Sequence, residues 1–289
     1  MAVLVSLYHQ TRYQYDHPVS LSTHLFRLKP AAHARNPLEA YALTIKPSNH
    51  SLHWQQDPFG NFVARVDFWE PMPELLVEVN IKTNIIPFNP FDFFLDPYAE
   101  FYPFAYEAQL KKDLAPYLEI MYAGPHMQQL LSKINRSKQG IINFLVNLNQ
   151  MIFQDIAYTI RLEPGVLTAE EALAQALGSC RDSAWLLVQV LRHLGLAARF
   201  VSGYLVQLTD KNNITASSSE SDLLALHAWA EVFIPGAGWV GLDATSGLLT
   251  GEGHIPLACT PTPTGAAPIT GTTEKCETSF TYFTKVERL

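Results

Sequence analysis

Gly178-Ser179-Cys180-Arg181-Asp182-Ser183-Ala184-Trp185-Leu186-Leu187 begins a strongly apolar helix, predicted to run to Leu194 and to stop at Gly195. Cys180 opens it directly after a Gly-Ser break. There the unpaired N–H groups and the positive end of the helix dipole favour a thiolate, the attacking form of the residue. Taken alone, the position reads better as a buried structural cysteine at a tight helix entry. Upstream, Thr168-Ala169-Glu170-Glu171 carries the capping-box pattern of a shorter helix. Within 134–153, Ile141, Phe144, Leu145, Leu148 and Ile152 recur at helical spacing. Downstream, residues 197–208, 225–234 and 239–242 read as strands, and Pro235-Gly236-Ala237-Gly238 as the turn of a hairpin.

That hairpin changes the reading of Cys180. His227 lies on its first strand and Asp243 ends the second. Antiparallel pairing brings positions near 229 and 242 together, within reach of a contact between the His227 imidazole and the Asp243 carboxylate. A nucleophile at a helix start, a base on one strand and a carboxylate on its neighbour satisfy the logic of a triad. One site accounts for the three residues more economically than three separate structural roles. The polar stretch 209–222, with Ser217-Ser218-Ser219, reads as a hairpin loop beside the cleft and a candidate gate.

Before position 87 the pattern is different. Segments 21–29, 38–45, 51–55, 61–68 and 75–83 are rich in β-branched and aromatic residues, separated by turn signals such as Asp57-Pro58-Phe59-Gly60. They predict an antiparallel β domain. The connector 87–106, dense in Pro and Phe, is expected to pack along the next domain. Composition narrows the function. Of 289 residues, 48% are hydrophobic and 16% charged, which excludes a disordered chain. The net charge of -7 argues against a nucleic-acid partner. The three cysteines, Cys180, Cys259 and Cys276, make neither a disulfide framework nor a zinc motif, so no metal and no cofactor is expected. With no signal-like N-terminus and no apolar run near the roughly 20 residues of a membrane span, a cytoplasmic protein without a membrane partner is expected.

Segments 178–187, 226–233 and 238–245, in this order and combination, resemble the three core motifs of the bacterial transglutaminase-like superfamily, whose members are often described as cysteine proteases. Residues 163–171 and His254-Ile255-Pro256-Leu257-Ala258 are similar to its flanking segments, and the first ~90 residues resemble its accompanying N-terminal domain. Two departures stand out: Asp243-Ala244-Thr245 replaces the frequent Asp-Pro-Thr, and 260–273 lacks a Gly-Arg-Asp-Tyr-like stretch. The resemblance implies an α+β protein, with an antiparallel β domain over 1–95 and a papain-like core over 96–289. In that core the nucleophile helix packs on an antiparallel sheet. It implies Cys180 as nucleophile, His227 as general base and acid, and Asp243 as orienter. The substrate would be a peptide or protein, cleaved at an amide bond through a thioester. Amine transfer to a protein glutamine is the alternative chemistry, and a peptide-binding module with an idle cleft the non-enzymatic one. The Cys180 N–H is a natural oxyanion donor; Ser179, Trp229, Tyr98, Tyr102 and His254 are the other cleft candidates, each also readable as packing or surface.

Overall fold

The computed structural model describes residues 2–209 and 221–289; the greater part of the candidate gate at 209–222 therefore lies outside the described residues. Six strands form first: β1 (Val3–Val19), β2 (His24–Phe26), β3 (Leu38–Lys46), β4 (His50–Gln56), β5 (Phe62–Phe68) and β6 (Met72–Ile85). They divide between two antiparallel sheets, one containing β1, β6 and β3, the other β2, β5 and β4. Along β1 the two-residue alternation turns Val5, Leu7, His9 and Thr11 inward, all nearly inaccessible. Leu7, Phe26, Leu28, Val66 and Val77 are among the side chains that fill the space between the sheets.

The connector then runs through β7 (Phe101–Tyr102) and packs as expected. The Tyr102 ring stacks on Phe144 with centroids 3.8 Å apart, and the Tyr106 hydroxyl donates to the Phe233 carbonyl at 2.7 Å. A helical layer comes next: α1 (Ala108–Asp113), α2 (Pro125–Lys133), β8 (Gln139–Gly140), α3 (Ile141–Asp155), β9 (Ala157–Tyr158), α4 (Ala169–Gln175), β10 (Leu177–Gly178) and α5 (Cys180–His193). The helical spacing read over 134–153 is real from Ile141 onward; Ile134 instead caps α2 in extended conformation. Thr168 and Glu171 cap α4 reciprocally, the Glu171 N–H donating to Oγ1 at 3.2 Å and the Thr168 N–H to the carboxylate at 2.8 Å. At the end of α5, Gly195 adopts φ +80°, and the Leu196 N–H returns to the Leu191 carbonyl at 3.0 Å. This left-handed turn stops the helix where the sequence predicts.

The last third supplies β11 (Ala198–Gln207), β12 (Leu223–Ile234), β13 (Gly238–Asp243), β14 (Leu248–Leu249), β15 (His254–Thr260), α6 (Pro263–Ala266), β16 (Ile269–Thr270) and β17 (Thr278–Arg288). An antiparallel sheet in the order β14-β13-β12-β11-β15 receives α5 on one face. Ala228, Ala230 and Val232 of β12 lie in the same buried cluster as Leu186, Leu187, Val190 and Leu191 of α5. The small side chains allow close approach of the helix, and each buried aliphatic contributes about 1.5–3 kcal/mol. This is the α+β architecture expected, with the nucleophile helix on an antiparallel sheet.

The chain does not divide at 95/96 into two consecutive blocks. β17 pairs with β1 from Val5↔Arg288 to Tyr15↔Thr278, and β16 pairs with β2. The C-terminal residues assigned to the core thus complete the N-terminal sheets, because the open edges of β1 and β2 are free to take them. The two parts also share a core: Tyr204, Val206, Leu224, Ile255 and Leu257 of the second sheet join the cluster of the first. Asn61 ties them further, its carboxamide accepting from the Cys259 N–H at 2.8 Å and donating to the Cys259 carbonyl at 3.1 Å. No helix among the described residues is long and apolar enough to cross a membrane.

Candidate active site

Cys180 is the first residue of α5 and partly accessible, so its backbone N–H has no partner within the helix. Asp182 fixes this helix start. Its fully buried carboxylate accepts from the Ser179 N–H at 2.9 Å, the Ser179 hydroxyl at 2.7 Å, the Leu167 N–H at 2.7 Å and the Arg161 guanidinium at 3.1 and 3.2 Å. Burial alone would raise this carboxyl, but Arg161 and the surrounding donors hold it below its ordinary range. Arg181 extends away from the thiol to the carbonyls of Arg161 and Glu163, at 2.8 and 3.0 Å. It pins the segment before α4 against the helix.

The hairpin register is Ala230↔Leu242. Continuing it sets Asp243 opposite Trp229, so His227 is the next residue along the same face. His227 Nε2 lies 3.0 Å from Asp243 Oδ2, and the Cys180 thiol lies close enough to act electrostatically on the imidazole. Of the three residues read from the sequence, His227 and Asp243 are in direct contact, and Cys180 stands near the imidazole at the start of α5. Burial disfavours a charged imidazole, but Asp243 and Cys180 outweigh it and push His227 up to about 10. Burial likewise opposes the Asp243 charge, yet His227, His254 and Thr245 hold that carboxyl well below the carboxylate range. Thr245 donates to Oδ1 twice, from its N–H at 2.9 Å and its hydroxyl at 2.7 Å.

The remaining candidates fare differently. His254 is not a loop residue at the surface. It begins β15, its side chain is 12% exposed, and its Nε2 lies 3.2 Å from Asp243 Oδ2. Ser179 spends both its donors on Asp182 and has none for an oxyanion. The Trp229 indole is buried and donates to Glu231 at 3.3 Å; it fits over Gly203, where an added Cβ would collide with the ring and with the Ile255 carbonyl. The Tyr102 hydroxyl reaches the Leu194 carbonyl at 3.5 Å, at the opposite end of α5 from Cys180, about 20 Å away by helical rise. Tyr98 packs edge-on against Phe104, beside Tyr106 and the same distal end. Cys259 lies in β15, and burial pushes its thiol up.

One neighbour of the thiol has no sequence signal. β9 pairs in parallel with β10, Tyr158 beside Gly178, and the Thr159 N–H donates to the Gly178 carbonyl at 2.9 Å. Tyr158 is 59% exposed on the cleft rim. Burial of its phenol, reinforced by Cys180, Tyr282 and Asp243, keeps the hydroxyl protonated as a donor. Among the described residues, two clusters have the spacing of a metal site. The donor atoms of His227, Asp243 and His254 lie within 4.8 Å of one another, as do those of His33, Glu231 and Cys259. In the first both histidines address the carboxylate; in the second Arg199 already ion-pairs Glu231 at 2.6 Å and approaches His33 at 3.4 Å.

Residues 128–244, which span the helix-and-hairpin constellation, match the model of the transglutaminase-like superfamily. The core belongs to that superfamily. Residues 5–83 match the bacterial transglutaminase-like N-terminal region. The transglutaminase-like chain is 28% identical over 258 residues to an uncharacterized protein of Mycobacterium tuberculosis, covering 86% of this chain and 80% of that one. An uncharacterized protein of Mycobacterium leprae is 24% identical over 265 residues, covering 91% and 90%. A solved structure from Cytophaga hutchinsonii, described provisionally as a cysteine protease, superposes with a TM-score of 0.72 at 17% identity, over 100% of this chain and 91% of that one. At that identity the likeness is one of fold.

Proposed function

We propose that this protein is a thiol acyl-transfer enzyme that hydrolyses peptide or isopeptide amide bonds. The observation that carries the reading is the buried His227–Asp243 pair at 3.0 Å, set near the Cys180 thiol at the start of a capped helix. His227 accepts the thiol proton, and the sulfur attacks the amide carbonyl carbon. The resulting oxyanion faces the Cys180 N–H, with the Tyr158 hydroxyl as the second donor. Collapse of the intermediate expels the amine, which takes its proton from His227, and leaves a thioester. Water, deprotonated by His227, then releases the acid and restores the thiol. The partial exposure of the Cys180 thiol to solvent supports water as acceptor.

The test is labelling with a thiol-directed peptide amide probe, followed by peptide mapping. Cys180 should carry the label near neutral pH, and Cys180→Ala should lose both labelling and any amidase activity. Equal labelling of Cys180 and Cys276 would remove the case for an activated nucleophile. Product analysis with a primary amine present separates hydrolysis from amine transfer. Tyr158→Phe tests the oxyanion assignment: kcat on a labelled substrate should drop about 10²-fold, the usual cost of one such donor. Probe binding should persist, and an unchanged kcat would strike Tyr158 from the mechanism.

A further inference from the structure

We infer that His254 is a positioning residue of the site, a second, neutral histidine that shares the Asp243 carboxylate with His227; this rests on the thiol-enzyme reading above. The Gly251 N–H donates to His254 Nδ1 at 3.1 Å. A ring nitrogen that accepts carries no proton, so the single imidazole proton lies on Nε2, the atom 3.2 Å from Asp243 Oδ2. Two N–H donors therefore converge on one oxygen, from His227 at 3.0 Å and from His254. The His254 ring is held in this orientation from three directions. The His254 N–H donates back to the Gly251 carbonyl at 3.0 Å, Leu205 pairs with it across the sheet, and its ring meets the Trp229 indole edge-on with centroids 5.3 Å apart.

Its effect is exerted through the carboxylate. With Thr245 occupying Oδ1, His227 and His254 divide the lone pairs and negative charge of Oδ2. The shared oxygen cannot swing toward either ring, which fixes the plane of the carboxylate. It also binds the His227 imidazolium less firmly than an undivided charge would, so that His227 can release its proton to the departing amine. Among the described residues, the other titratable groups that act on this cluster are Cys180 on α5 and Tyr158 on β9, and Tyr282 of β17 acts in turn on Tyr158. Beyond Trp229 on the same face lies the Glu231–Arg199 pair. None of these changes when residue 254 is replaced.

The experiment compares wild type, His254→Phe and His254→Gln by the pH dependence of Cys180 alkylation with iodoacetamide, which reads the proton shared by Cys180 and His227 and needs no identified substrate. Phenylalanine keeps a ring against Trp229 and removes the N–H; glutamine restores an N–H close to the place of Nε2. In His254→Phe the whole Oδ2 charge falls on His227, which then holds the shared proton more firmly, and the midpoint should move up by about 0.5 pH unit. His254→Gln should return toward the wild-type midpoint, with circular dichroism confirming the fold of both. A wild-type midpoint in His254→Phe overturns the assignment, as do equal shifts in the two variants, which would mark a packing role. An ordinary free-thiol profile in wild type would overturn the nucleophile assignment together with it. A normal wild-type profile with an unshifted His254→Phe would overturn His254 alone.

Discussion

His227→Ala should lower amidase turnover by about 10⁴-fold, because one imidazole serves both half-reactions. In the first it takes the thiol proton and returns a proton to the leaving amine; in the second it deprotonates water. Alanine supplies neither. The same variant should lower the rate of Cys180 alkylation at neutral pH by about 10-fold or more, toward that of an unassisted thiol. The variant also removes one partner of a buried charge pair, at a cost of about 3 kcal/mol, while its strand stays held by paired neighbours on both sides. Stopped turnover with a native circular dichroism spectrum is the expected pair of results. Retention of more than a tenth of the activity would require another base, and His254 is the one within reach of Asp243.

Asp243→Asn should be nearly as damaging to turnover, about 10³- to 10⁴-fold, for a different reason. Four donors converge on the carboxylate: His227, His254 and two from Thr245. A carboxamide turns an NH₂ toward at least one of them, which forces His227 to another tautomer or breaks a contact. Removing one partner of a buried charge pair also costs about 3 kcal/mol. The pH dependence identifies the source. His227 is raised in the folded protein from 6.5 to about 10, so its contribution to stability is complete below pH 6.5, declines above it, and is gone above about pH 10. Asp243 is depressed, so its contribution is complete above the unfolded value of 3.8 and is lost as pH falls below it. Urea unfolding of wild type should therefore show the pair's full effect between about pH 4 and 6.5. Asp243→Asn should flatten that dependence on both sides; an unchanged pH–stability curve would contradict the buried pair.

Local pattern carried much of this protein. The apolar spacing of 180–194, its Gly195 stop and the Thr168–Glu171 cap are short-range signals, and each element forms where its residues predict. The His227–Asp243 contact was legible for the same reason: a hairpin turn at 235–238 sets the register of its two strands, which limits where the two residues can meet. Other features depend on contacts between residues far apart in the chain. The return of β17 to β1 joins the two ends of the molecule, and nothing local in 278–288 names its partner, because an exposed strand edge accepts any extended segment of suitable length. Tyr158 comes beside the start of α5 only through the parallel pairing of β9 with β10. His254 is a cleft candidate from its sequence, but its partner appears only when β15 pairs with β11 and carries it to Asp243. The sequence by itself determined the kinds of side chain at the site and the helix and hairpin that hold them. Tertiary structure alone decided which further groups surround them, since hydrogen bonds between distant strands depend on sheet order and register, which short-range periodicity does not encode.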